Sequence, residues 1–292
     1  MSRILVTGAS GQLGQCLKRA SQNSPFSWNF IGRSTLDLSQ TALLEQQLAK
    51  LLDAKETAIS GPYTYFVHAA AYTQVDAAET ASATAFAINE TATSYIAKAC
   101  AARGICLIYI STDFVFSGAS ARPWRTIDPI SPQGVYAQSK AAGEKAVAQF
   151  CPAHYMIRTS WLYSDFEHNF VKTMLRLGAS QPSLKVVEDQ LGTPTSALDL
   201  ARFIVGLVSA PDIPFGLHHF SNSGSTHWAG FAREIFKQSG MPTVVSGISS
   251  QEFGATAPRP SFSVLENSMG PTPRPWQEAL AEVLGLLETK NK

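Results

Sequence analysis

A turn built on three evenly spaced glycines constrains the fold of this chain more than any other feature. Gly8, Gly11 and Gly14 directly follow the apolar run 4–7, and residues 13–20 have the apolar spacing of a helix. A strand that turns tightly into a helix directs backbone N–H groups and the positive helix end to one spot, which suits a pyrophosphate. The spacing therefore predicts a dinucleotide site, and the alternative is an ordinary strand-to-helix turn.

Strand-like and helix-like segments alternate along the first half of the chain. Further β-rich runs at 28–31, 65–67, 107–110 and 155–157 are separated by helical patterns at 41–52, 81–102 and 136–150. Such alternation favours a parallel sheet covered by helices on both faces. We predict an α/β fold, a doubly wound parallel sheet of the Rossmann type, with a smaller C-terminal substrate lobe.

The chain of 292 residues has about the length at which one core begins to divide into two. We expect residues 1–160 to form the dinucleotide-binding Rossmann domain and residues 161–292 to form mainly a substrate-binding lobe. The segment at about 196–222 is expected to return to the Rossmann sheet, because 216–220 has the pattern of a strand.

Composition excludes several classes of function. Charged residues make up 15% of the chain and the formal net charge is +1, so nothing indicates a nucleic-acid or anionic-membrane surface. The start of the chain lacks the apolar region of a signal peptide, and no apolar run approaches the ~20 residues of a membrane span. We expect a cytoplasmic protein that binds a small molecule. The four cysteines lack metal-site spacing, so no metal site is predicted.

The residues after the second strand bear on the choice of cofactor. Gly32 and Arg33 stand where an acidic residue would bond the ribose 2′-hydroxyl of NAD. A guanidinium there suits a 2′-phosphate, so NADPH is favoured and NADH stays open. Asp37 and Leu38 are expected near the adenosine, and the alternative for Asp37 is to cap a helix that starts near Ser39.

A threonine, a tyrosine and a lysine form the candidate catalytic set. Tyr136 and Lys140 are four residues apart, which places them one turn apart on the same helix face. An ordinary tyrosine has a pKa of ~10, and we expect the nearby ammonium to lower it toward neutral pH. Thr112 closes a strand, where α/β sheets present ligand contacts. The set therefore predicts carbonyl reduction, with Tyr136 donating the proton.

Several runs resemble the extended short-chain dehydrogenase/reductase family, and within it the dTDP-4-dehydrorhamnose reductases. Ser111 to Gly118 is followed by a run from Pro132 to Lys140 that contains the Tyr–Lys pair. The other similar runs are residues 69–76, 158–163 and 189–195, with Arg259–Pro260. The similarity spans nearly the whole chain.

This resemblance implies the NADPH-dependent reduction of the C4 ketone of dTDP-4-dehydro-L-rhamnose, a step toward bacterial surface polysaccharide. Thr112, Tyr136 and Lys140 would carry out the chemistry. Cofactor contacts would come from Gly11, Gln12 and Leu13 at the phosphates, and from Ala69, Ala70, Ala71, Tyr72 and Thr73. Substrate contacts would come from Val75, Asp113 and Trp161 at the sugar and from Arg259 at the diphosphate. The alternatives are core packing for Trp161 and a stiff exposed loop for Arg259.

Two other functions stay open at this point. A non-catalytic regulatory subunit would keep the cofactor site, and a nucleotide-sugar epimerase would use the same tyrosine and lysine with tightly held NAD. Some relatives are described as magnesium-dependent dimers. No carboxylate cluster here has readable ligand spacing, so Mg²⁺ and a homodimer also stay open.

Overall fold

Six parallel strands form the main sheet in a computed structural model that describes residues 2–53, 61–209, 213–268, 270 and 272–290. In chain order the strands are β1 (Arg3–Thr7), β2 (Ser27–Ile31), β3 (Tyr63–His68), β4 (Cys106–Thr112), β5 (His154–Thr159), β6 (Leu162–Tyr163), β7 (Ser183–Val187), β8 (Leu191–Gly192), β9 (Thr195–Ser196), β10 (Gly216–His219), β11 (Thr226–His227) and β12 (Val244–Ile248). The order across the main sheet is β2, β1, β3, β4, β5, β10. The predicted α/β fold with a parallel Rossmann-type sheet is confirmed.

The described helices lie on both faces of this sheet and in a separate cluster beside it. In chain order they are α1 (Gln12–Ala20), α2 (Leu44–Leu52), α3 (Val75–Ala78), α4 (Ser82–Phe86), α5 (Ala92–Ala101), α6 (Gly134–Phe150), α7 (Phe170–Gly178), α8 (Ala197–Ser209), α9 (Trp228–Gln238), α10 (Ser250–Phe253) and α11 (Trp276–Lys290). Alternate residues of β1 face opposite sides, since Ile4 and Val6 pack with α1 and α8 while Leu5 packs with α2 and α5. This two-sided burial explains why the centre of β1, residues 4–6, is apolar.

The helix predicted over 81–102 is interrupted. A π-helical turn at Ala87–Thr91 separates α4 from α5. The wider turn carries the buried side chain of Asn89. Its Oδ1 accepts the Tyr72 N–H at 2.8 Å, and its Nδ2 donates to the Tyr72 carbonyl oxygen at 3.1 Å. Apolar spacing alone does not distinguish such a turn from a continuous helix.

A second apolar cluster lies outside the main sheet. It joins side chains of α7, α9 and α11 with Tyr163 of β6, beside the parallel pair β7 and β12. Asp165, 1% exposed, connects this part to the sheet, because it accepts hydrogen bonds from Arg19 of α1 at 2.7 and 2.9 Å. Lys290 at the end of α11 pairs with the same carboxylate at 2.6 Å.

Strand order determines where a ligand can enter. The chain runs from β1 outward to β2 and then back to β3 on the other side of β1, so the connections after β1 and β3 leave the sheet in opposite directions. Open α/β sheets bind ligands in the crevice that this reversal creates at the carboxyl ends of the strands. Among the described helices, none combines the length and apolar character needed to cross a bilayer.

Candidate active site

A cavity of about 950 Å³ opens at the carboxyl ends of β1, β3, β4 and β5. It is lined by every residue that the sequence assigned to the site except Tyr72. Those lining residues are Gly8, Gly11, Gln12, Leu13, Gly14, Arg33, Asp37, Leu38, Ala69, Ala70, Ala71, Thr73, Val75, Thr112, Asp113, Tyr136, Lys140, Trp161 and Arg259. Tyr72 instead has its main chain held by Asn89.

The glycine turn forms one wall of this cavity. Gly8 has a φ of +76°, and a Cβ there would lie 2.9 Å from the backbone nitrogen of Ala70. A Cβ on Gly14 would overlap the carbonyl oxygen of Gly8, so helix and turn are in direct backbone contact. Helix α1 begins at Gln12 without a side-chain cap, which leaves its first N–H groups available to an anion.

The adenosine end holds a small polar cluster. The Nε atom of Arg33 lies 3.2 Å from Oδ2 of Asp37, and the Arg33 side chain is 80% exposed. Oδ1 of Asp37 accepts hydrogen bonds from the backbone N–H of Ser39 at 3.0 Å and from its hydroxyl at 2.6 Å. These two bonds, together with the hydrogen bond from Arg33, lower the pKa of Asp37. Asp37 therefore caps the Ser39 N–H and does not cap a helix, because the following 3₁₀ turn begins at Thr41 after Gln40.

Tyr136 and Lys140 lie one turn apart on α6, as predicted. Lys140 is 3% exposed, and its Nζ donates to the carbonyl oxygen of Ile110 at 2.7 Å. The same Nζ lies 4.2 Å from the ring centroid of Tyr109. Burial lowers the pKa of Lys140 to about 7, and the carboxylate of Glu144 acts in the opposite direction.

The pKa of Tyr136 differs from the sequence-based expectation. Burial raises it to about 12, and a hydrogen bond with Thr112 lowers it only in part. Lys140 does not lower it here, because its ammonium is directed at the Ile110 carbonyl. The phenol is thus a neutral proton donor over the whole physiological range, which suits an acid more than a base.

Two polar side chains stand next to this phenol at the end of β4. The hydroxyl of Thr112 donates to Oδ1 of Asp113 at 3.1 Å and accepts the Phe114 N–H at 3.2 Å. Asp113 is 2% exposed, and burial raises its pKa to about 7. Its Oδ2 atom is buried and has no hydrogen-bond partner among the described residues.

Two other predicted substrate residues, Arg259 and Trp161, are already engaged within the protein. Arg259 forms a two-pronged pair with Asp76, at 2.6 and 3.1 Å, and also donates to the Ala257 carbonyl. Trp161 has a φ of +45° and stacks on Trp228 at a centroid distance of 3.6 Å. Both residues line the cavity from these fixed positions.

Sequence reasoning missed several residues at this site. Trp228, Glu167 and His168 line the cavity, and Asn89 fixes the loop after β3 while donating to Ser139 at 3.0 Å. No local pattern marks Asn89, because other polar residues follow it directly in the same helical stretch. Nothing local in the sequence marks Trp228. Within the described part of the chain, no group of three histidine, cysteine, aspartate or glutamate side chains is arranged to hold a metal ion.

A Rossmann-type sheet with a glycine turn after β1 and a tyrosine–lysine pair at its carboxyl edge defines an NAD(P)H-dependent oxidoreductase. The family model described as the RmlD substrate binding domain matches residues 1–288. The chain belongs to the family of dTDP-4-dehydrorhamnose reductases.

Individual relatives agree with this assignment. The spore coat polysaccharide biosynthesis protein SpsK of Bacillus subtilis is 36% identical over 291 residues, covering 97% of each chain. The dTDP-4-dehydrorhamnose reductase of Streptomyces griseus is 38% identical over 290 residues, covering 96% of this chain and 92% of that protein. A crystal structure of the Bacillus anthracis reductase in complex with NADP superposes with a TM-score of 0.89 at 34% identity, covering 98% of this chain and 100% of the other.

Proposed function

We propose that this protein uses NADPH to reduce the C4 ketone of dTDP-4-dehydro-L-rhamnose, which yields dTDP-L-rhamnose. The observation that carries the proposal is the convergence of Thr112, Tyr136 and Lys140 on one cavity that the glycine turn also lines. The chain's relatives named as dTDP-4-dehydrorhamnose reductases support the choice of substrate.

The cavity suits a dinucleotide on its own geometry. The uncapped start of α1 and the absence of side chains at Gly8 and Gly11 leave room for a pyrophosphate beside free N–H groups. Arg33, largely exposed and held by Asp37, supplies a cation for a 2′-phosphate. A related reductase solved with NADP supports the same preference.

The residues of this chain then have separate tasks. When bound, NADPH supplies the hydride that adds to the carbonyl carbon. Tyr136 donates its phenolic proton to the carbonyl oxygen as negative charge develops there. The Thr112 hydroxyl turns from Asp113 to donate to the same oxygen and orient it. Lys140 lines the same cavity and binds the cofactor, and its bond to the Ile110 carbonyl holds it one turn from Tyr136.

The proposal is tested by following NADPH absorbance with purified protein and dTDP-4-dehydrorhamnose. The keto-sugar is made in the same reaction from dTDP-glucose by the two preceding enzymes. We expect consumption of NADPH that depends on the keto-sugar, with slower consumption of NADH at equal concentration. Protein that binds NADPH and consumes none with this substrate would be a non-catalytic binding subunit. Protein that retains one equivalent of bound NAD through purification would instead be an epimerase.

A further inference from the structure

Two tryptophans form a stacked pair in the wall of the cavity. The indoles of Trp161 and Trp228 lie parallel within 7°, with ring centroids 3.6 Å apart. Trp161 has a φ of +45°, which a side chain of this size seldom adopts, so the surrounding structure must hold it there. Strain of this kind is retained where the resulting orientation is useful.

The run 189–195, which the proposed chemistry does not use, holds both rings. Oε1 of Gln190 accepts the indole N–H of Trp228 at 3.1 Å, and Nε2 of Gln190 donates to Ser250 at 2.8 Å. A Cβ at Gly192 would lie 2.5 Å from Cε2 and 2.6 Å from Cζ2 of Trp161. One indole is therefore fixed by a hydrogen bond, and the other fits because Gly192 has no side chain.

Trp228 is itself held on a rigid element. It is the first residue of α9, whose N-cap is His227, and Nδ1 of His227 accepts the Gly230 N–H at 2.9 Å. Phe170 of α7 packs against the Trp228 ring with centroids 4.7 Å apart. Trp228 is thus anchored at the start of α9, and its ring covers one face of Trp161.

We propose that Trp228, Gln190 and Gly192 are positioning residues that fix the indole of Trp161 in the cavity wall and thereby set the affinity for the nucleotide keto-sugar. This inference rests on the proposed function. It assigns the contact to Trp161 and the control of its orientation to residues that lie 29 to 67 positions further along the chain.

Trp228→Leu and Gly192→Ala test the inference at two different contacts of Trp161. The first removes the stacking partner, and the second pushes a methyl group against Trp161 while leaving Trp228 unchanged. Trp28→Phe is the matched control, because Trp28 lies on β2 and does not line the cavity. Thermal melting establishes that each variant is folded, and Gly192→Ala keeps the test available if Trp228→Leu does not fold.

The readouts separate orientation from chemistry. Two stacked indoles give a coupled pair of bands of opposite sign in circular dichroism, which we expect to be lost in Trp228→Leu, weakened in Gly192→Ala and kept in Trp28→Phe. We expect KM for dTDP-4-dehydrorhamnose to rise roughly 3- to 10-fold in both cavity variants. In Trp228→Leu and Gly192→Ala, the NADPH affinity should stay within about twofold of the wild type, since neither change touches the glycine turn. The activity of Trp28→Phe should also stay within about twofold of the wild type.

Each outcome decides the matter. Wild-type protein that reduces the keto-sugar, together with a Trp228→Leu variant that loses the band pair and keeps its KM, would overturn this inference and leave the proposed function intact. A folded Gly192→Ala variant that keeps its KM would overturn it as well. Wild-type protein that consumes no NADPH with this sugar would reject the proposed function, and the inference with it.

Discussion

The carboxylate of Glu144 accepts two hydrogen bonds from the guanidinium of Arg158, from Nε at 2.8 Å and from Nη2 at 2.7 Å. Both side chains are buried, at 7% and 3% exposure, and Ser111 donates to the same carboxylate at 2.6 Å. These three residues belong to α6, β5 and β4, the elements that carry Tyr136, Thr159 and Thr112 into the cavity wall. The buried pair thus ties together the elements of the candidate active site.

Replacing Glu144 with Gln should lower the free energy of unfolding by about 3 to 5 kcal/mol, because Arg158 would keep a buried charge without a partner. Urea denaturation measures the loss. The double variant Glu144→Met with Arg158→Met is the control, and it should recover most of the stability because no charge remains buried. A single-variant loss below about 1 kcal/mol would contradict this account.

Replacing Tyr136 with Phe should reduce turnover by ~10²-fold or more, the scale for losing a positioned proton donor. The fold should persist, since the ring keeps its edge contact with Phe114 at 5.7 Å. Steady-state kinetics with NADPH and the keto-sugar measure the effect, and a fluorescence titration should give nearly unchanged NADPH affinity. Tyr95→Phe on α5, which does not line the cavity, is the control. Near-normal turnover in Tyr136→Phe would remove the phenol from the mechanism.

Replacing Gly11 with Val should weaken NADPH binding roughly tenfold or more while the protein stays folded. Gly11 has φ −71° and ψ 169°, a conformation that valine adopts, and the nearest atom to an added Cβ is 3.4 Å away. The branched side chain instead occupies the space beside the start of α1 that a pyrophosphate needs. Fluorescence titration with NADPH tests this, with Gly206→Val on the exposed face of α8 as the control. Unchanged affinity in Gly11→Val would mean that the phosphates bind elsewhere.

The buried lysine should leave a signature in the pH dependence of stability. Lys140 has a pKa of about 7 in the folded protein against 10.5 as its ordinary value, so between these values the unfolded chain binds a proton that the folded protein does not. Stability contributed by this difference rises with pH through that window, by at most about 1.4 kcal/mol per pH unit.

Wild-type protein should therefore gain stability relative to Lys140→Met between pH 7 and pH 9. Urea denaturation of both proteins at the two pH values measures the gain, and groups common to both cancel. Lys98→Met, which removes an exposed lysine from α5, should show no such change relative to the wild type. Stability differences that are equal at both pH values would indicate that Lys140 is charged throughout.

The sequence predicted those parts of the site that depend on local geometry. The glycine turn, Gly8 to Gly14, depends on residue spacing within one turn, and the pair Tyr136 and Lys140 depends on spacing within one helix. Such short spacings can be recognised in the sequence. The ends of β1, β3 and β4 then bring them together, because parallel strands present their carboxyl ends at one edge. The division of the chain near residue 160 stays a prediction.

Features that depend on packing between distant segments were not predictable. Trp228 meets Trp161 from 67 residues away, and no local pattern distinguishes it from a core tryptophan. Arg259 pairs with Asp76 across 183 residues. The direction of the Tyr136 pKa shift was wrong for the same reason, since desolvation and the Ile110 carbonyl are properties of the folded interior.

The junction of Arg19, Asp165 and Lys290 bears on how the protein is synthesised. Helix α1, which opens at the glycine turn, leaves the ribosome before the carboxylate that holds its last turn, because that carboxylate follows 146 residues later. The second cation on that carboxylate arrives only with the final turn of α11. A nascent chain halted before residue 290 would carry the whole nucleotide-binding motif and still lack one of the charges that secure it.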